Sequence, residues 1–556
     1  MLNQASAFFG WGLFGAFLAS KFSESKQKLQ PGFARLLVAV TLMLIAGLIA
    51  AAWAGLPRSL AVSSAAVTAT AALVASTSAR ICDRLTLQIA FRAFCLGMLV
   101  AGFFSSLIGL IQVFAPSLAD GNFIARTYID GRAVGNMRQP NHLSSLLLWG
   151  VVAVVWLGEA RVLRRWGSTL LALLFVFVIV LTASRTGALS MLLLAAWGLF
   201  DRRLSREARW LLALSPVIYG VFWYGTGVWA DSTHHVFGGE TRFSTKGDVS
   251  SSRLGIWANT LTLIRMHPWF GVGWGEFNFA WTLTPFPDRP VAFFDHTHNL
   301  ILQFVVELGI PLALLVLGLL GYALWVAARA ALQPAAADAA PGEALVKPAA
   351  FAMVLLILVH SMLEYPLWYA YYLLPASFAF GLCLSGDTRS TVVDAGLAAA
   401  SPRRVRPLVV ASLLLTMGGA ASVLDYMRVV AIYAPSPSST ATLDQRIASG
   451  RRSLFFAHHA DYAAATTAPH PGTVLPAFIR APHYLLDARL LQAWAKALDE
   501  SGQTDKARYL AQRLREFRNE QSVEFFAPCE AGKAGGRALP FQCSVPERSY
   551  TYEDFR

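Results

Sequence analysis

The chain has 556 residues, of which 55% are hydrophobic and only 14% are charged. Soluble domains average about 25% charged residues, and this much apolar surface exceeds what cores of ordinary size can bury. The composition therefore excludes a disordered chain, a coiled coil, a disulfide-rich mini-protein and an ordinary cytosolic enzyme. Most of the chain is predicted to lie in lipid.

The net charge of +13 would suit a nucleic-acid-binding protein. The basic residues, however, lie in short loops between apolar runs, where they set the orientation of a membrane protein. We therefore predict membrane lipids, and no nucleic acid, among the partners.

About twelve apolar runs have lengths near the 17 to 25 residues that a helix needs to cross a hydrocarbon core of about 30 Å. They lie near residues 4–20, 34–54, 58–76, 88–114, 143–158, 168–183, 186–200, 209–229, 300–328, 349–363, 367–384 and 407–424. The first run lacks the basic n-region and the clear cleavage site of a secretory signal, so we expect a retained helix. The sequence predicts an all-α polytopic membrane protein.

Lys and Arg gather in alternate loops, which the positive-inside rule assigns to the cytoplasm. These residues are Lys21, Lys26, Lys28, Arg80, Arg84, Arg161, Arg164, Arg165, Arg202, Arg203, Arg206, Arg209, Arg389, Arg403, Arg404 and Arg406. The loops near 115–142, 184–185, 230–299 and 364–366 then share the opposite face with everything after residue 425, and both termini are predicted to be extracytoplasmic. The predicted domains are a membrane domain over 1–424, which contains the large loop 230–299, and a helical tail over 425–556.

Two cysteines lie in the polar tail, Cys529 and Cys543. Such a pair suits a disulfide in an oxidising compartment, the periplasm in a Gram-negative bacterium. Two unrelated thiols are the alternative. Cys82, Cys95 and Cys383 lie in or beside apolar runs and are predicted to be structural thiols.

The tail also shows helical periodicity. Apolar residues recur at helical spacing over 490–498 and again over 510–517, and Ser501 and Gly502 separate the two runs. We predict an antiparallel helix pair that resembles one unit of a tetratricopeptide array. The Ala/Pro-rich stretch 328–348 is predicted to be a flexible cytoplasmic connection.

The unusual polar residues stand at the predicted outer ends of helices. A transporter would instead place its ionisable groups near the middle of the membrane. Five segments contribute: GNMRQPNH (135–142), SRTG (184–187), SSRLGIW (251–257), DHTHN (295–299) and HSMLEYPLWY (360–369). They are predicted to converge on one surface.

Two of these segments supply arginines. Arg185 directly follows an apolar run, where snorkelling to the interface is the simple explanation. Arg253 lies in the large loop, where an exposed salt bridge is the simple explanation. Together they can offer the planar, permanently charged forks that grip phosphate oxygens. An extracytoplasmic enzyme has no access to nucleotide sugars, so the phosphate ligand there is expected to be a lipid pyrophosphate.

The DHTHN segment contains a His-x-His pair beside Asp295. Zinc is the alternative reading, but no third ligand at regular spacing and no Cys cluster supports it. Asn299 can cap the helix that begins at Leu300, which would leave His298 at a helix N-terminus that favours an anion. An unperturbed His has a pKa near 6.5, so His298 can take a proton from a hydroxyl.

The remaining two segments also have structural interpretations. In GNMRQPNH, Pro140 can end one element and Asn141 can cap a helix starting at Leu143, which leaves Gln139 unexplained. In HSMLEYPLWY, the aromatic rings suit an interfacial belt, which leaves Glu364 unexplained. Aromatic rings beside polar groups, such as Tyr365 beside Glu364, are also typical of a sugar-binding surface.

Several of these segments resemble those of a known superfamily. The chain resembles the O-antigen ligase and polymerase superfamily in SRTG, in Arg253 before Trp257, in HPWFGVGWGEF and in DHTHNLILQFVVELGIP. Members of this superfamily have about a dozen membrane helices in a GT-C-like fold and a large periplasmic loop. GNMRQPNH and HSMLEYPLWYAYYLLP are similar to bacterial protein O-oligosaccharyltransferases of the pilin-glycosylating type (PglL/PilO). The resemblance covers roughly residues 100–385.

The resemblance implies en bloc transfer of an oligosaccharide from undecaprenyl pyrophosphate to a Ser or Thr hydroxyl of a periplasmic, pilin-like protein, at the periplasmic face of the inner membrane. It implies no metal and no cofactor. His298 matches the essential His, and Arg185 and Arg253 match the basic residues that bind pyrophosphate. The residues expected at the glycan or the acceptor are Gln139, Asn141, Asn299, Glu364 and Tyr365.

Three alternatives remain open. An O-antigen ligase that uses lipid A core, or an O-antigen polymerase, would share the fold and chemistry and differ in acceptor. A flippase for lipid-linked oligosaccharide would need essential groups on both membrane faces. A cell-envelope scaffold acting through its tail would leave the predicted convergence of Arg185, Arg253 and His298 unexplained.

Overall fold

The computed structural model describes residues 2–21, 30–81, 83–128, 131–239, 249–334, 339–386, 406–535 and 539–556. Helices and turns make up the structure, and these ranges contain no β-strand. The prediction of an all-α fold is confirmed. Cys82 lies outside the described residues, whereas Cys95 and Cys383 are buried free thiols.

The helices of the predicted membrane domain follow the apolar runs. They are α1 (Leu2–Lys21), α2 (Pro31–Trp53), α3 (Arg58–Ala79), α4 (Arg84–Phe114), α5 (Pro140–Glu159), α6 (Arg165–Leu181), α7 (Arg185–Phe200), α8 (Arg206–Ala213), α9 (Ser215–Thr233), α10 (Val249–Met266), α11 (Phe277–Leu283), α12 (Leu300–Ala331), α13 (Val346–Ser361), α14 (Ala370–Cys383) and α15 (Arg406–Tyr433). Each predicted run overlaps one of these helices, except that the run near 209–229 is divided between α8 and α9.

Among the described residues, seven helices are long and apolar enough to cross a membrane, and α8 with α9 makes an eighth if the pair is one span bent by 53°. The seven are α2, α3, α4, α5, α12, α13 with the turn before it, and α15. Three further apolar helices, α6, α7 and α14, have 17, 16 and 14 residues. The polytopic membrane architecture is confirmed, although length and composition alone support seven or eight spans rather than about twelve.

Contacts between loops sort the helix ends into two faces. On one, here called the basic face, Arg84 pairs with Glu343 at 3.2 Å and Arg165 pairs with Glu207 at 3.1 Å. The opposite one, here called the site face, contains the described residues of the loops 115–139, 182–184, 234–299 and 362–369. There the backbone N–H of Ala133 donates to the carbonyl oxygen of Leu181 at 3.0 Å. This grouping follows the alternation of basic loops in the sequence.

Helix α5 runs through the centre of the membrane domain. Almost its whole length is buried, and it packs against α4, α6 and α13. Its tryptophans are satisfied inside the bundle, because Trp149 Nε1 donates to the Met353 carbonyl at 2.8 Å and Trp156 Nε1 donates to the Gly342 carbonyl at 2.9 Å. The start of α5 is therefore held firmly at the site face.

The chain after α15 forms shorter helices. They are α16 (Leu443–Gly450), α17 (Ala457–Thr467), α18 (Leu475–Phe478), α19 (Ala488–Glu500), α20 (Thr504–Phe517) and α21 (Glu520–Gly535). Helices α19 and α20 pack together where the sequence predicts a helix pair. A disulfide joins Cys529 to Cys543.

The tail and the large loop share one hydrophobic core. Trp281 of α11 meets Phe517 of α20 edge-to-face, with ring centroids 5.7 Å apart. Beside them Arg289 is fully buried and pairs with Glu516 at 3.0 Å. Burial lowers the pKa of Arg289 to about 10, so its guanidinium remains charged.

The predicted boundary between the membrane domain and the tail, at residues 424/425, falls inside helix α15, which is continuous there. The division into two domains at this position stays a prediction.

Helix α12 contains a break that matters for the site face. Gly309 has φ 75° and ψ 164°, and the helix is kinked there. A Cβ on Gly309 would lie 2.3 Å from the Trp269 carbonyl oxygen, so both the conformation and the close approach require glycine. The kink turns residues 300–308 toward the large loop.

Candidate functional site

The Glu364 carboxylate is the centre of a hydrogen-bonded cluster on the site face. Its Oε2 accepts from Gln139 Nε2 at 2.9 Å and lies 3.1 Å from His360 Nε2. Its Oε1 accepts from Arg253 Nη2 at 3.1 Å and from Asn141 Nδ2. The Glu364 side chain is only 9% exposed. A buried carboxylate needs this number of donors because an unpaired buried charge is costly.

Gln139 and Asn141 come from the start of α5. Gln139 is the N-cap, and its Oε1 accepts from the His142 N–H at 2.7 Å. The helix begins at Pro140, so the prediction that Asn141 caps a helix starting at Leu143 is wrong. Proline suits the first helical position, where no backbone donor is needed. Asn141 is consequently free to reach Glu364 from the first turn.

Asn141 also connects the cluster to α7. Its Oδ1 accepts from Ser184 Oγ at 2.6 Å, and Ser184 Oγ accepts from the Gly187 N–H at 3.0 Å as the N-cap of α7. Arg185 is the first residue of α7, and it is partly buried. The predicted basic residue of SRTG is therefore one position from a side chain that contacts the Glu364 cluster.

Arg253 comes from α10 in the large loop. Its guanidinium pairs with Glu364, and the Arg253 side chain is 15% exposed. Its Nε is buried and has no hydrogen-bond partner among the described residues. A largely buried guanidinium with one spare donor can accept an anion without first breaking its pair with Glu364.

His298 occupies a tight turn immediately before α12. It has φ 56°, a left-handed conformation that is uncommon outside glycine. Trp257 Nε1 donates to the Thr297 carbonyl at 2.9 Å, and Thr297 N–H donates to Gln303 Oε1 at 2.8 Å. Asn299 is the N-cap of α12, as predicted, and its Nδ2 donates to the Met362 carbonyl at 3.2 Å. These bonds on both sides of His298 fix its position.

The His298 ring lies among aromatic side chains. It meets Phe294 and Tyr365 edge-to-face, with ring centroids 5.1 and 4.9 Å away. Tyr365 in turn stacks on His296 at 4.4 Å, and His296 contacts Trp368 edge-on at 4.9 Å. Within the described structure, His298 Nδ1 is buried and has no hydrogen-bond partner. An imidazole nitrogen in this position is free to bind a hydroxyl that enters the site.

Charge and burial set the protonation of these groups. Burial alone would raise the pKa of Glu364, but the His360 hydrogen bond and the charges of His360 and Arg253 outweigh it and lower that pKa to about 2. Burial lowers the pKa of His298 to about 4, and the nearby Arg253 charge acts in the same direction against Glu364. At neutral pH Glu364 is therefore ionised and His298 is neutral.

One group of side chains has the spacing to hold a metal ion. Ligand atoms of His142, His360 and Glu364 all lie within 4.8 Å of one another. His360 Nδ1 contacts Ser145 Oγ at 2.7 Å, while His142 Nδ1 contacts Tyr371 OH at 3.1 Å. The Glu364 carboxylate already accepts from Gln139, Asn141 and Arg253, and each histidine has a polar side-chain partner of its own.

The structure brings together Gln139, Asn141, Arg253, His360 and Glu364, and it places His298, Asn299 and Tyr365 beside them. Ser145 belongs to the site, and it lies outside the segments that the sequence singled out. Ser184 and Trp257 lie in or beside those segments, but neither was assigned a role. Ser184 was detectable as an N-cap before an apolar run. Ser145 gave no signal, because its contact with His360 joins residues that are 215 positions apart in the sequence.

Comparison with known proteins is consistent with this geometry. Residues 169–317 match the O-antigen ligase family, and this range includes SRTG, Arg253 and DHTHN. Residues 133–157 match the protein glycosylation ligase family, and residues 349–525 match the C-terminal region of virulence factor membrane-bound polymerases.

Two curated relatives from Acinetobacter baylyi are similar over part of the chain. The general O-oligosaccharyltransferase is 29% identical over 269 residues, which is 45% of this chain and 43% of the relative. The ComP-specific O-oligosaccharyltransferase is 24% identical over 277 residues, which is 49% of this chain and 47% of the relative. The aligned region thus spans less than half the length of either relative.

Proposed function

We propose that the protein is an oligosaccharyltransferase. It moves a preassembled oligosaccharide en bloc from undecaprenyl pyrophosphate to Ser or Thr hydroxyls of periplasmic proteins such as pilin. One observation carries the proposal: Gln139, Asn141 and Arg253 meet at Glu364. Nearby is His298, whose Nδ1 has no hydrogen-bond partner among the residues that the structure describes. The O-oligosaccharyltransferase names of the two relatives point to the same reaction class.

In the proposed reaction, the acceptor hydroxyl oxygen forms a bond to the anomeric carbon, and the bond from that carbon to the pyrophosphate oxygen breaks. The hydroxyl proton passes to His298, which acts as the general base for a weak nucleophile. The lipid pyrophosphate leaves as an anion that Arg253 and Arg185 stabilise. A single displacement inverts the anomeric configuration.

Glu364 has a positioning role in this proposal. Its carboxylate holds the Arg253 fork while also ordering Gln139 and Asn141, the residues expected to face the glycan or acceptor. Preorganised charge of this kind is effective because it costs no rearrangement during the reaction. The two arginines neutralise the leaving group, so the chemistry proposed requires no metal ion.

The site is proposed to lie on the periplasmic face of a bacterial inner membrane. The basic loops support this orientation, as does the Cys529–Cys543 disulfide, which suits an oxidising compartment. The tail that carries this disulfide packs on the large loop of the site face.

The direct test is coexpression of the protein with a lipid-linked oligosaccharide pathway and a candidate pilin, followed by intact mass measurement of the pilin. A mass increase of one whole oligosaccharide, absent from a His298→Ala strain, is expected. Unmodified pilin beside lipid A core that has gained the oligosaccharide would replace the proposal with its runner-up.

The runner-up is an O-antigen ligase or polymerase, which the match of residues 169–317 favours. It would use the same arginines and His298 and would differ only in the acceptor. The match of residues 133–157 to protein glycosylation ligases covers Gln139 and Asn141, and it favours a protein acceptor.

A further inference from the structure

Helix α10 carries an exposed apolar stripe on the side opposite its packed face. Ile256, Thr260 and Leu263 are fully buried. Leu254 and Leu261 are 67% and 44% exposed, and at 100° per residue they lie roughly opposite the buried three. Ala258 and Arg265 are exposed on the same side.

Both ends of α10 are attached to the outer ends of membrane helices. Near its start, Arg253 pairs with Glu364, three residues after α13 ends at Ser361. Just beyond its end, the Pro268 carbonyl accepts from the Ile310 N–H at 2.7 Å. Ile310 begins the part of α12 that follows the Gly309 kink.

The length of α12 identifies this kink as the level of the membrane surface. Its 32 residues exceed what a hydrocarbon core of about 30 Å requires. The segment 310–331 alone spans about 33 Å at 1.5 Å per residue. Both attachment points of α10 are therefore at interfacial depth, and α10 lies along the membrane surface.

The packing of α10 indicates which way its stripe points. The buried face belongs to the core that the large loop shares with the tail. This core lies beyond the outer ends of the membrane helices, on the side away from the bilayer. The opposite face is consequently directed toward the bilayer. The stripe continues into Trp269 and Phe270, which are 71% and 75% exposed, and Phe270 contacts Trp53 at the end of the membrane helix α2.

We propose that α10 is an interfacial helix whose outer face, formed by Leu254, Ala258, Leu261, Trp269 and Phe270, is immersed in the acyl region of the bilayer. Apolar residues beside a cation that can snorkel, here Arg265, are typical of such helices, as are tryptophans at the interface. The proposal goes beyond the proposed function, and it would also explain why Arg253 stands at the depth of lipid phosphates.

The test uses spin labels on the full chain in nanodiscs of phosphatidylethanolamine and phosphatidylglycerol, in a Cys82→Ser background. Labels at Leu254→Cys and Leu261→Cys are compared with Leu314→Cys on the lipid-exposed side of α12 and Ile479→Cys in the tail. These controls are 62% and 68% exposed. Power-saturation EPR gives the collision rates of each label with oxygen, which partitions into lipid, and with a water-soluble nickel chelate.

We expect both α10 labels to favour oxygen over nickel at least threefold, as Leu314→Cys does, whereas Ile479→Cys favours nickel. Nickel accessibility equal to that of Ile479→Cys would overturn the proposal. Protection from nickel only after a lipid-linked oligosaccharide is added would make the stripe a track for the polyprenyl chain. Protection only after an acceptor protein is added would make it a protein-docking surface. None of these readings requires activity, so the result is separate from the fate of the proposed transferase.

Discussion

At the scale of single residues, we propose that proton transfer depends on His298. His298→Ala should retain folding and donor binding, while the rate of oligosaccharide transfer falls by a factor of about 10² to 10⁴, the usual contribution of a general base. Transfer is measured by intact mass of the acceptor over time. His296→Ala should retain far more activity, because His296 stacks on Tyr365 and is not the base in the proposed mechanism.

A near wild-type rate in His298→Ala would contradict this role. Chelators should leave the wild-type rate unchanged. If EDTA abolishes transfer and added zinc restores it, the His142, His360 and Glu364 group becomes the first place to look for the ion.

The acid limb of the pH profile offers a second test. In the proposed mechanism the neutral form of His298 is the active base, and burial lowers the pKa of His298 to about 4. The value of kcat/KM, which reports the free enzyme, should therefore hold from pH 7 down to about pH 5 and fall only near pH 4. Glu364, with a pKa of about 2, stays ionised throughout. A midpoint near 6.5 would show that His298 is not in the environment described.

The arginines provide the third prediction. Arg253→Ala and Arg185→Ala should each lower kcat/KM for the lipid-linked donor about tenfold to a hundredfold, since a charge-assisted contact contributes about 1.5 to 3 kcal/mol. Lys should restore each only in part, because an ammonium lacks the bidentate fork. Steady-state kinetics with purified donor gives the values.

The control for this series is Arg452→Ala, which removes an exposed guanidinium from the tail. It should leave kcat/KM within twofold of wild type. Full rescue of Arg253→Ala by Lys would mean that charge alone suffices and that the fork geometry is unimportant.

At the scale of elements, helix starts position the site: Gln139 caps α5, Ser184 caps α7 and Asn299 caps α12. Asn299→Ala should lower the free energy of unfolding by about 1 kcal/mol and also reduce transfer, because the turn that holds His298 loosens. Asn299→Asp keeps a capping oxygen and should recover most of the stability. Thermal unfolding in detergent and transfer rates are measured together.

Thr442→Ala is the matched control, since Thr442 caps α16 in the tail and belongs to none of the site segments. It should cost similar stability and leave the transfer rate unchanged. Equal loss of activity in both variants would indicate that general destabilisation, and not the His298 turn, explains the Asn299 result.

At the scale of the whole molecule, the two faces of the helix bundle make the orientation testable. In a Cys82→Ser background, Asp288→Cys and Thr440→Cys should react with a membrane-impermeant maleimide added to the periplasm, and Arg164→Cys should not. All three positions are exposed, so membrane sidedness alone explains a difference. Labelling of Arg164→Cys only would invert the orientation and move the site to the cytoplasm.

The sequence by itself determined the all-α membrane class and the membership of the two faces. Apolar runs must become helices in lipid, and basic loops alternate visibly along the chain. It also indicated the segments of the site, because a charged or amide side chain at the end of an apolar run is unusual without a function. Asn299 as the cap of α12 followed from local chemistry alone.

Only the tertiary structure decided how those segments meet. Glu364 accepts hydrogen bonds from Gln139 and Arg253, which lie 225 and 111 positions away in the sequence. No local sequence pattern encodes contacts over such separations. The start of α5 at Pro140 also depended on a tertiary contact. Gln139 and Asn141 can each cap a helix, but Asn141 donates to Glu364, and Gln139 is the residue that caps α5. The core shared by the large loop and the tail was not visible either, because periodicity shows which face of a helix is apolar but not what packs against it.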